Sequence, residues 1–597
     1  MRTRLIGLLG VAALVAGACG QSTATASSSA LEPIVSAATP GPTPIPAALA
    51  LTDTTYTAVQ AATTGGKVVI AEWQFPDTVN PYFAGTATDI EVAGSMFDGL
   101  VKVTPDLRYV PDLALTVPTL DNGGVVINGG GMDVTWKLRL GMQWSDGQPI
   151  NCDDIKATWQ WITSKDNTGL PAGATAGWQD VTGVDGGSET TCVMHFDKLY
   201  EGYLTLVSSL LPAHYITTVP IKDAKSKLYP MSNLASGVYS GPYIPSSLQG
   251  RTQMTLKPNP NWQTIGGHAP WLSAVTWKYY ADAGSMIDGF SKGDYDVGQD
   301  LSNADIPALS GVTVDAQVIH DSRTYELLAF NNASFKAKFD TDATNIIQAI
   351  KLATDRGAIA QGPLLGNVTV SNNFVSPLSW YYKSVSTSTA ADPTTASVLL
   401  ANAGWTKGAD GYLSKGGKTL ELSYCTTTRQ YRLDTLKLMA AQLKQIGIKV
   451  DVNAKSDSDV FGPWTAKNAG TLCNLSHGNY DVAEFSYVSP LDPLLGYKAY
   501  YSSQIPDTAP NDGQNVTRIG LPSLDSAYDA IATTVDFNKV RDSMFAIQDI
   551  YGSDRNTYEL PLYFRKDVWL ANPKIHNFTG NPMPSGAEWN IADWWVG

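Results

Sequence analysis

Bond-making chemistry needs nucleophiles, paired acids and bases, or metal ligands at defined spacings, and this chain has few such arrangements. Its six histidines, at positions 195, 214, 268, 320, 477 and 576, are scattered. The HExxH pattern of a zinc protease is absent. Gly237-Val238-Tyr239-Ser240-Gly241 reads G-x-x-S-G, not the G-x-S-x-G turn that lifts a nucleophilic serine. Gly411 to Lys418-Thr419 is one residue too long for a phosphate-binding loop and precedes a strand, so Gly416-Gly417 reads as a hairpin. The partners of a glycosidase carboxylate pair can lie far apart in a chain, so spacing neither supports nor excludes that chemistry. No metal and no cofactor is expected, and no catalytic residue is assigned.

Cysteines and aromatics are the other groups of interest. Cys152, Cys192, Cys425 and Cys473 are an even set that permits two disulfides in an exported chain. Of three possible pairings, the local pairs Cys152–Cys192 and Cys425–Cys473 are favoured because each closes one lobe. Sixteen Trp, 27 Tyr and 15 Phe are enough to line a cleft as well as fill cores. Trp136 and Trp159 lie on periodic apolar faces and read as core. Trp73, Trp464 and Tyr487 lie at strand ends or in loops, where binding residues concentrate.

These residues must be positioned by a chain of 597 residues, too long for one core. The net charge of −14 argues against nucleic acid or an anionic membrane surface as main partner. Lys67-Val68-Val69-Ile70-Ala71 reads as a buried strand. Leu420, Leu422 and Tyr424 alternate with polar residues, Leu436, Met439, Leu443 and Ile446 follow at helical spacing, and Ile448, Val450 and Val452 alternate again. Strand, helix and strand in that order predict a βαβ crossover and an α/β lobe. Between them, Val134 to Leu140 reads as a strand. Asp153-Asp154 opens a helix whose apolar face carries Ile155, Thr158, Trp159 and Ile162.

Before the folded part, Arg2 and Arg4 precede an apolar run to Ala18, the layout of a secretory signal over 1–18. Ala16-Gly17-Ala18-Cys19 resembles a bacterial lipobox, which makes Cys19 the expected lipid attachment site. Residues 19–66 are rich in Ser, Thr, Ala and Pro and read as a disordered stalk. The expected location is the extracytoplasmic face of a cell membrane.

An ordered set of motifs then resembles extracytoplasmic solute-binding proteins of family 5, the oligopeptide- and dipeptide-binding type of ABC importers. Its parts are Asn80-Pro81 with Met96-Phe97-Asp98-Gly99-Leu100, Val110-Pro111-Asp112-Leu113-Ala114, and Trp144-Ser145-Asp146-Gly147 with Asp153-Asp154-Ile155. Ser240-Gly241-Pro242-Tyr243, Asn259-Pro260-Asn261-Trp262, Ala329-Phe330-Asn331-Asn332, Asp355-Arg356 and Leu560-Pro561-Leu562-Tyr563 continue it. The resemblance implies an α/β, two-lobe, periplasmic-binding-protein-like fold of class II with three subdomains and a cleft between lobes. Residues 67–105 and 235–326 form the first lobe's core, 106–234 its extra subdomain, 327–565 the second lobe, and 566–597 a return to the first. Crossings are implied near 327–332 and 561–570.

The same resemblance implies ligand contacts. Ala87, Thr88 and Asp89 align with a ligand-lining segment. Tyr487 takes the position of a family tryptophan, followed by Val488 and Ser489. Pro490 stands where peptide binders carry an ammonium-holding Asp; either Asp492, two residues on, supplies that charge with the loop re-registered, or the ligand has no α-amine there. The implied function is capture of a peptide by lobe closure and delivery to ABC permease subunits, as a monomer anchored by lipid. An oligosaccharide or other small polar solute is the alternative within the class, and an exported hydrolase lies outside it.

Overall fold

A computed structural model describes residues 47–171, 174–264, 267–385, 389–464, 470–506, 513–552 and 558–597. The signal segment, Cys19 and the stalk up to residue 46 lie outside the described residues.

The main sheet is built from β1 (Lys67–Glu72), β2 (Tyr243–Gln249), β3 (Gln253–Pro258), β4 (Ala274–Tyr279) and β5 (Val297–Ser302) on one side. The long strands β6 (Gln317–Phe330) and β10 (Glu559–Ala571) join these to β7 (Glu421–Thr427), β8 (Lys449–Lys455) and β9 (Val482–Val488). The spatial order is β8-β7-β9-β6-β10-β5-β1-β4-β3-β2, with Thr369–Val370 pairing on β10. β1 is parallel to both β4 and β5 and so is central. Its residues Val68, Ile70, Ala71 and Glu72 are accordingly buried, as both faces of a parallel strand are covered.

Two lobes result because β6 and β10 each belong to both halves of the sheet. Gln317–Asp321 pairs with Lys566–Leu570 beside β5, whereas Thr324–Phe330 pairs with Val482–Val488 of β9. The changeover falls where the register shifts between Asp321 and Tyr325, a few residues before the 327–332 crossing implied by the resemblance. Lys566 Nζ bonds Asp321 Oδ1 at 2.5 Å and Thr369 Oγ1 at 2.9 Å across this joint. The Arg323 guanidinium donates to the carbonyls of Pro582 and Ser489, both at 3.3 Å.

The βαβ crossover is present. β7 runs parallel to β8 with Glu421 opposite Lys449, and the helix Gln430–Gln445 covers them with Leu436, Met439 and Leu443 buried. A separate antiparallel sheet of four strands, ordered Val125–Asn128, Gly131–Lys137, Thr191–Phe196 and Val181–Asp185, packs with the helix Cys152–Thr163. Of the three possible cysteine pairings, the structure forms Cys152–Cys192 and Cys425–Cys473. They close loops of 40 and 48 residues, worth about 4 kcal/mol each by loop entropy.

The disordered stalk read over 19–66 is corrected from residue 47 onward. Ala47–Thr52 is a short helix that buries Leu51 completely. Asp106 accepts from Thr54 Oγ1 and Thr55 N, both at 2.9 Å, and Val59 N bonds Asn577 Oδ1 at 2.8 Å. A polar, proline-containing composition described the segment's lack of a core of its own. It did not show that the folded body offers one apolar socket and several acceptors.

Candidate functional site

Most of the quoted motifs turn out to hold the scaffold. Lys102 Nζ sits between Asp98 at 2.9 Å and Asp112 at 3.1 Å. Asp154 Oδ2 accepts from Trp144 Nε1 at 3.1 Å and Asn151 N at 3.0 Å, completing a capping box on its helix. Arg356, buried, donates to the carbonyls of Ser371 and Pro561.

Asp89 belongs with these. It is the third residue of the helix Ala87–Gly94, and Thr86 caps that helix. Its Oδ1 accepts from Asp77 N and Thr78 N, and its Oδ2 from Gly85 N and Thr86 N, at 2.7–3.2 Å. Four backbone donors saturate the carboxylate, so only the backbone groups of this segment are open to a ligand. Thr88 is fully buried and Ala87 exposed. Ser489 is also committed: its Oγ accepts from Ser376 N at 2.9 Å, and its amide donates to the Arg323 carbonyl at 2.8 Å. Val488, 55 % exposed, closes β9 opposite Thr324.

The aromatic candidates fall apart spatially. Trp464 stacks on His477 with ring centroids 3.9 Å apart. Tyr487 packs edge-on against Phe485 at 5.0 Å, and its hydroxyl donates to the Gln514 carbonyl at 2.8 Å. Trp73 follows β1, and its indole N–H donates to the Asp300 carbonyl at 3.0 Å. Asp300 holds an unusual φ of 54° for an aspartate in a strand.

Asp492 meets a partner that the sequence did not suggest. The loop after β9 carries it against Glu201 and Gly202, beyond the small four-stranded sheet. Asp492 is 3 % exposed and Glu201 5 %. Asp492 Oδ1 accepts from Leu494 N at 2.8 Å. Glu201 lies close enough to share a proton with Asp492, and its Oε2 meets no donor among the described residues. Burial first, and the Asp492 carboxyl second, push Glu201 well above the usual carboxylate range. Tyr109, Tyr200, Tyr203 and Tyr381 surround the pair and feel its charge. No lysine or arginine among the described residues pairs with either carboxyl.

The pair therefore joins the segment after the four-stranded sheet to the loop after β9 through like-charged groups in an aromatic enclosure. Such an arrangement is stable with one proton, or with an ammonium in its place. Nearby, a cavity of about 320 Å³ is lined by Ile90, Phe97, Tyr109, Leu204, Leu491 and Trp589, among others. Its walls come from the first lobe except for Leu491, the residue before Asp492.

Sequence reasoning missed Glu201 because it lies in no motif and its partner is almost 300 positions away. The only local signal was an acidic residue beside a glycine in an aromatic run, Tyr200-Glu201-Gly202-Tyr203.

Comparison with known proteins agrees with this architecture. The chain is 26% identical over 400 residues to the oligopeptide-binding protein AppA of Bacillus subtilis (strain 168), covering 65% of this chain and 68% of that protein. It is 24% identical over 538 residues to protein XP55 of Streptomyces lividans, covering 87% and 88%. Among solved structures, the B. subtilis AppA complex with a nonapeptide superposes with a TM-score of 0.62 at 21% identity, covering 90% of this chain and 99% of that one. The periplasmic EDTA-binding protein EppA gives 0.70 at 18% identity, covering 91% and 99%. Residues 108–506 match the family described as bacterial extracellular solute-binding proteins, family 5 middle, and with about two thirds of its length so matched the chain belongs to that family.

Proposed function

We propose that this protein captures a peptide between its lobes and delivers it to the permease of an ABC importer, with the peptide's α-ammonium held by Glu201 and Asp492. The observation that carries this reading is the buried carboxylate pair contributed by opposite lobes. With the lobes apart, each carboxylate is solvated and its cost is small. With the lobes together, two carboxyls without a cation are unfavourable unless one is protonated. An ammonium entering first converts that repulsion into attraction on both sides. Ligand binding then shifts the open–closed balance by its differential contacts with the closed form. No bond is broken. The naming of relatives as oligopeptide-binding supports the ligand class.

The same reading places the protein on the extracytoplasmic face of a membrane, held as a monomer through lipid on Cys19. The motif at Ala16-Gly17-Ala18-Cys19 supports the anchor. No described helix is long and apolar enough to cross a membrane.

Ligand extracted from purified protein and identified by mass spectrometry tests the class. Peptides are expected, and oligosaccharides without peptides would reject it. The Asp492→Asn protein is expected to bind such a peptide at least tenfold more weakly by calorimetry. An unchanged affinity would remove Asp492 from the site.

A further inference from the structure

The short helix Ala47–Thr52 lies against two elements that are far apart in the chain. One is the strand Tyr109–Pro111, and the other is the helix Phe537–Gly552 between β9 and β10. Leu51 is fully buried and belongs to the same apolar cluster as Tyr109 on one side and Val540 and Met544 on the other.

After this helix the chain is fastened on the β1 side of the sheet. Thr54 and Thr55 bond Asp106. Tyr56 packs edge-on against Trp589 with ring centroids 4.6 Å apart, and its hydroxyl accepts from Asn590 Nδ2 at 2.7 Å. Val59 exchanges two bonds of 2.8 Å with the Asn577 side chain. Thr63 Oγ1 donates to the Val596 carbonyl at 2.8 Å, and β1 begins at Lys67.

The helix Phe537–Gly552 is fastened on the β9 side instead. Gln548 Oε1 accepts from Asn373 Nδ2 and Lys383 N, both at 2.8 Å. Tyr551 packs on Phe374 and Tyr500 with centroids 4.6 and 4.9 Å apart, and the Tyr500 hydroxyl meets that of Tyr325, which pairs with Tyr487 of β9. A second link runs beside Leu51: Arg108, close to Asp53, donates to the Leu378 carbonyl at 3.0 Å.

A six-residue helix does not hold its shape in water unaided, so its packing on both sides sustains it. The two halves of the sheet are otherwise joined through β6 and β10. When the halves swing apart, residues 54–63 stay with the β1 side and Leu51 leaves the helix Phe537–Gly552. Apolar surface is then returned to water, which is unfavourable.

We propose that residues 47–59 are a strap that docks as the lobes close. Docked across both, it stabilises the closed form, and opening releases its helix. The stalk expected over residues 19–46 enters the body at this helix, so closure also fixes where the tether leaves. The strap rests on lobe closure and not on the ligand being a peptide.

The test compares full-length Leu51→Glu protein with the unaltered chain, and Leu51→Met serves as the conservative control. Calorimetry with alanine pentapeptide reads affinity, and small-angle X-ray scattering without it reads the radius of gyration. Glutamate is expected to weaken binding at least fivefold where the free lobes rest open, or to enlarge the unliganded radius where they rest together, while methionine changes neither. Unchanged affinity together with an unchanged radius overturns the strap and leaves the peptide reading standing. A lowered thermal midpoint with both unchanged overturns it too, marking Leu51 as a folding residue. If the pentapeptide does not bind the unaltered protein, the peptide reading loses its support and the radius alone decides: a larger one upholds the strap, an equal one overturns it. Leu51→Ala takes the place of Leu51→Glu, with the same readings, if glutamate prevents folding.

Discussion

Gly202 has an ordinary backbone conformation, φ −76° and ψ 13°, open to any L-residue. What demands glycine is the approach of Asp492, whose Oδ2 lies where a side-chain carbon would start. The Tyr200 hydroxyl stands 2.8 Å from the same point. A methyl group at 202 therefore crowds Asp492 most closely, while the end of the Tyr200 side chain has to shift by a smaller amount. The Gly202→Ala protein is expected to keep the thermal midpoint of the unliganded chain within about 2 °C. Its peptide affinity should fall at least tenfold, equal to about 1.4 kcal/mol of lost closed-state stability. An unchanged affinity would show that closure does not bring Asp492 to this place. A lowered midpoint without loss of affinity would mark the glycine as a folding residue only. The contrast with Asp89 is instructive, because its carboxylate is also nearly inaccessible yet already holds four backbone donors. Burial alone does not distinguish these two carboxylates, but their donors do.

Between the crossover helix and the two long strands, Glu326 performs the opposite role to the acidic sites. The helix supplies Arg432, 3.0 Å from Glu326 Oε1, and β10 supplies Arg565, which bonds the same oxygen. Tyr431 and Ser486 complete the network. Burial alone would raise the Glu326 carboxyl, but Arg565 and then Arg432 outweigh it and hold it below the usual glutamate range. Removing this one carboxylate strands two guanidiniums. The Glu326→Ala protein should lose about 3–5 kcal/mol in urea unfolding of the second lobe, and a loss below 1 kcal/mol would show that the network adds little. Elements of this kind were partly legible. The crossover at 421–455 was readable because alternation and helical spacing are local, and the helix start at Asp154 was readable because Asp154 bonds Asn151 N three positions before it, although its partners Trp144 and Ala213 lie 10 and 59 positions away. Glu72, Glu91, Glu201 and Glu588 were not. Glu201 and Glu588 meet partners hundreds of positions away, brought in by the loop after β9 and by the return after β10, and Glu72 and Glu91, though closer in the chain, meet from two different elements. The docking of residues 47–66 was hidden for the same reason, since its acceptors Asp106 and Asn577 come from distant loops.

Over the whole molecule, the unneutralised carboxyls give stability a defined pH dependence. Glu72 is raised to about 8, Asp300 and Asp567 to about 6, and Glu91 and Glu588 well above the ordinary glutamate value, burial being the largest cause in each. A folded-state pKa above the unfolded one means that the folded chain binds more protons over the interval between them. Stability is then fully present below about pH 4.5 and is lost as pH rises toward 8, at about 1.4 kcal/mol per pH unit for each such proton. Glu326 adds nothing to this slope, because its lowered pKa changes stability only below the usual glutamate range. His195, raised through Asp133 and Asp185 against the effect of its burial, adds to the slope with the same sign. The unliganded protein is therefore expected to melt several degrees lower at pH 8 than at pH 5.5. Differential scanning calorimetry at the two pH values checks this. The Glu72→Gln, Glu91→Gln protein assigns part of the cause, since its unliganded slope should become shallower while the contributions of Glu588, Asp300, Asp567 and His195 remain. A profile of the unaltered protein that is level from pH 5.5 to 8 would mean that these carboxyls are not the proton-holding groups their burial makes them.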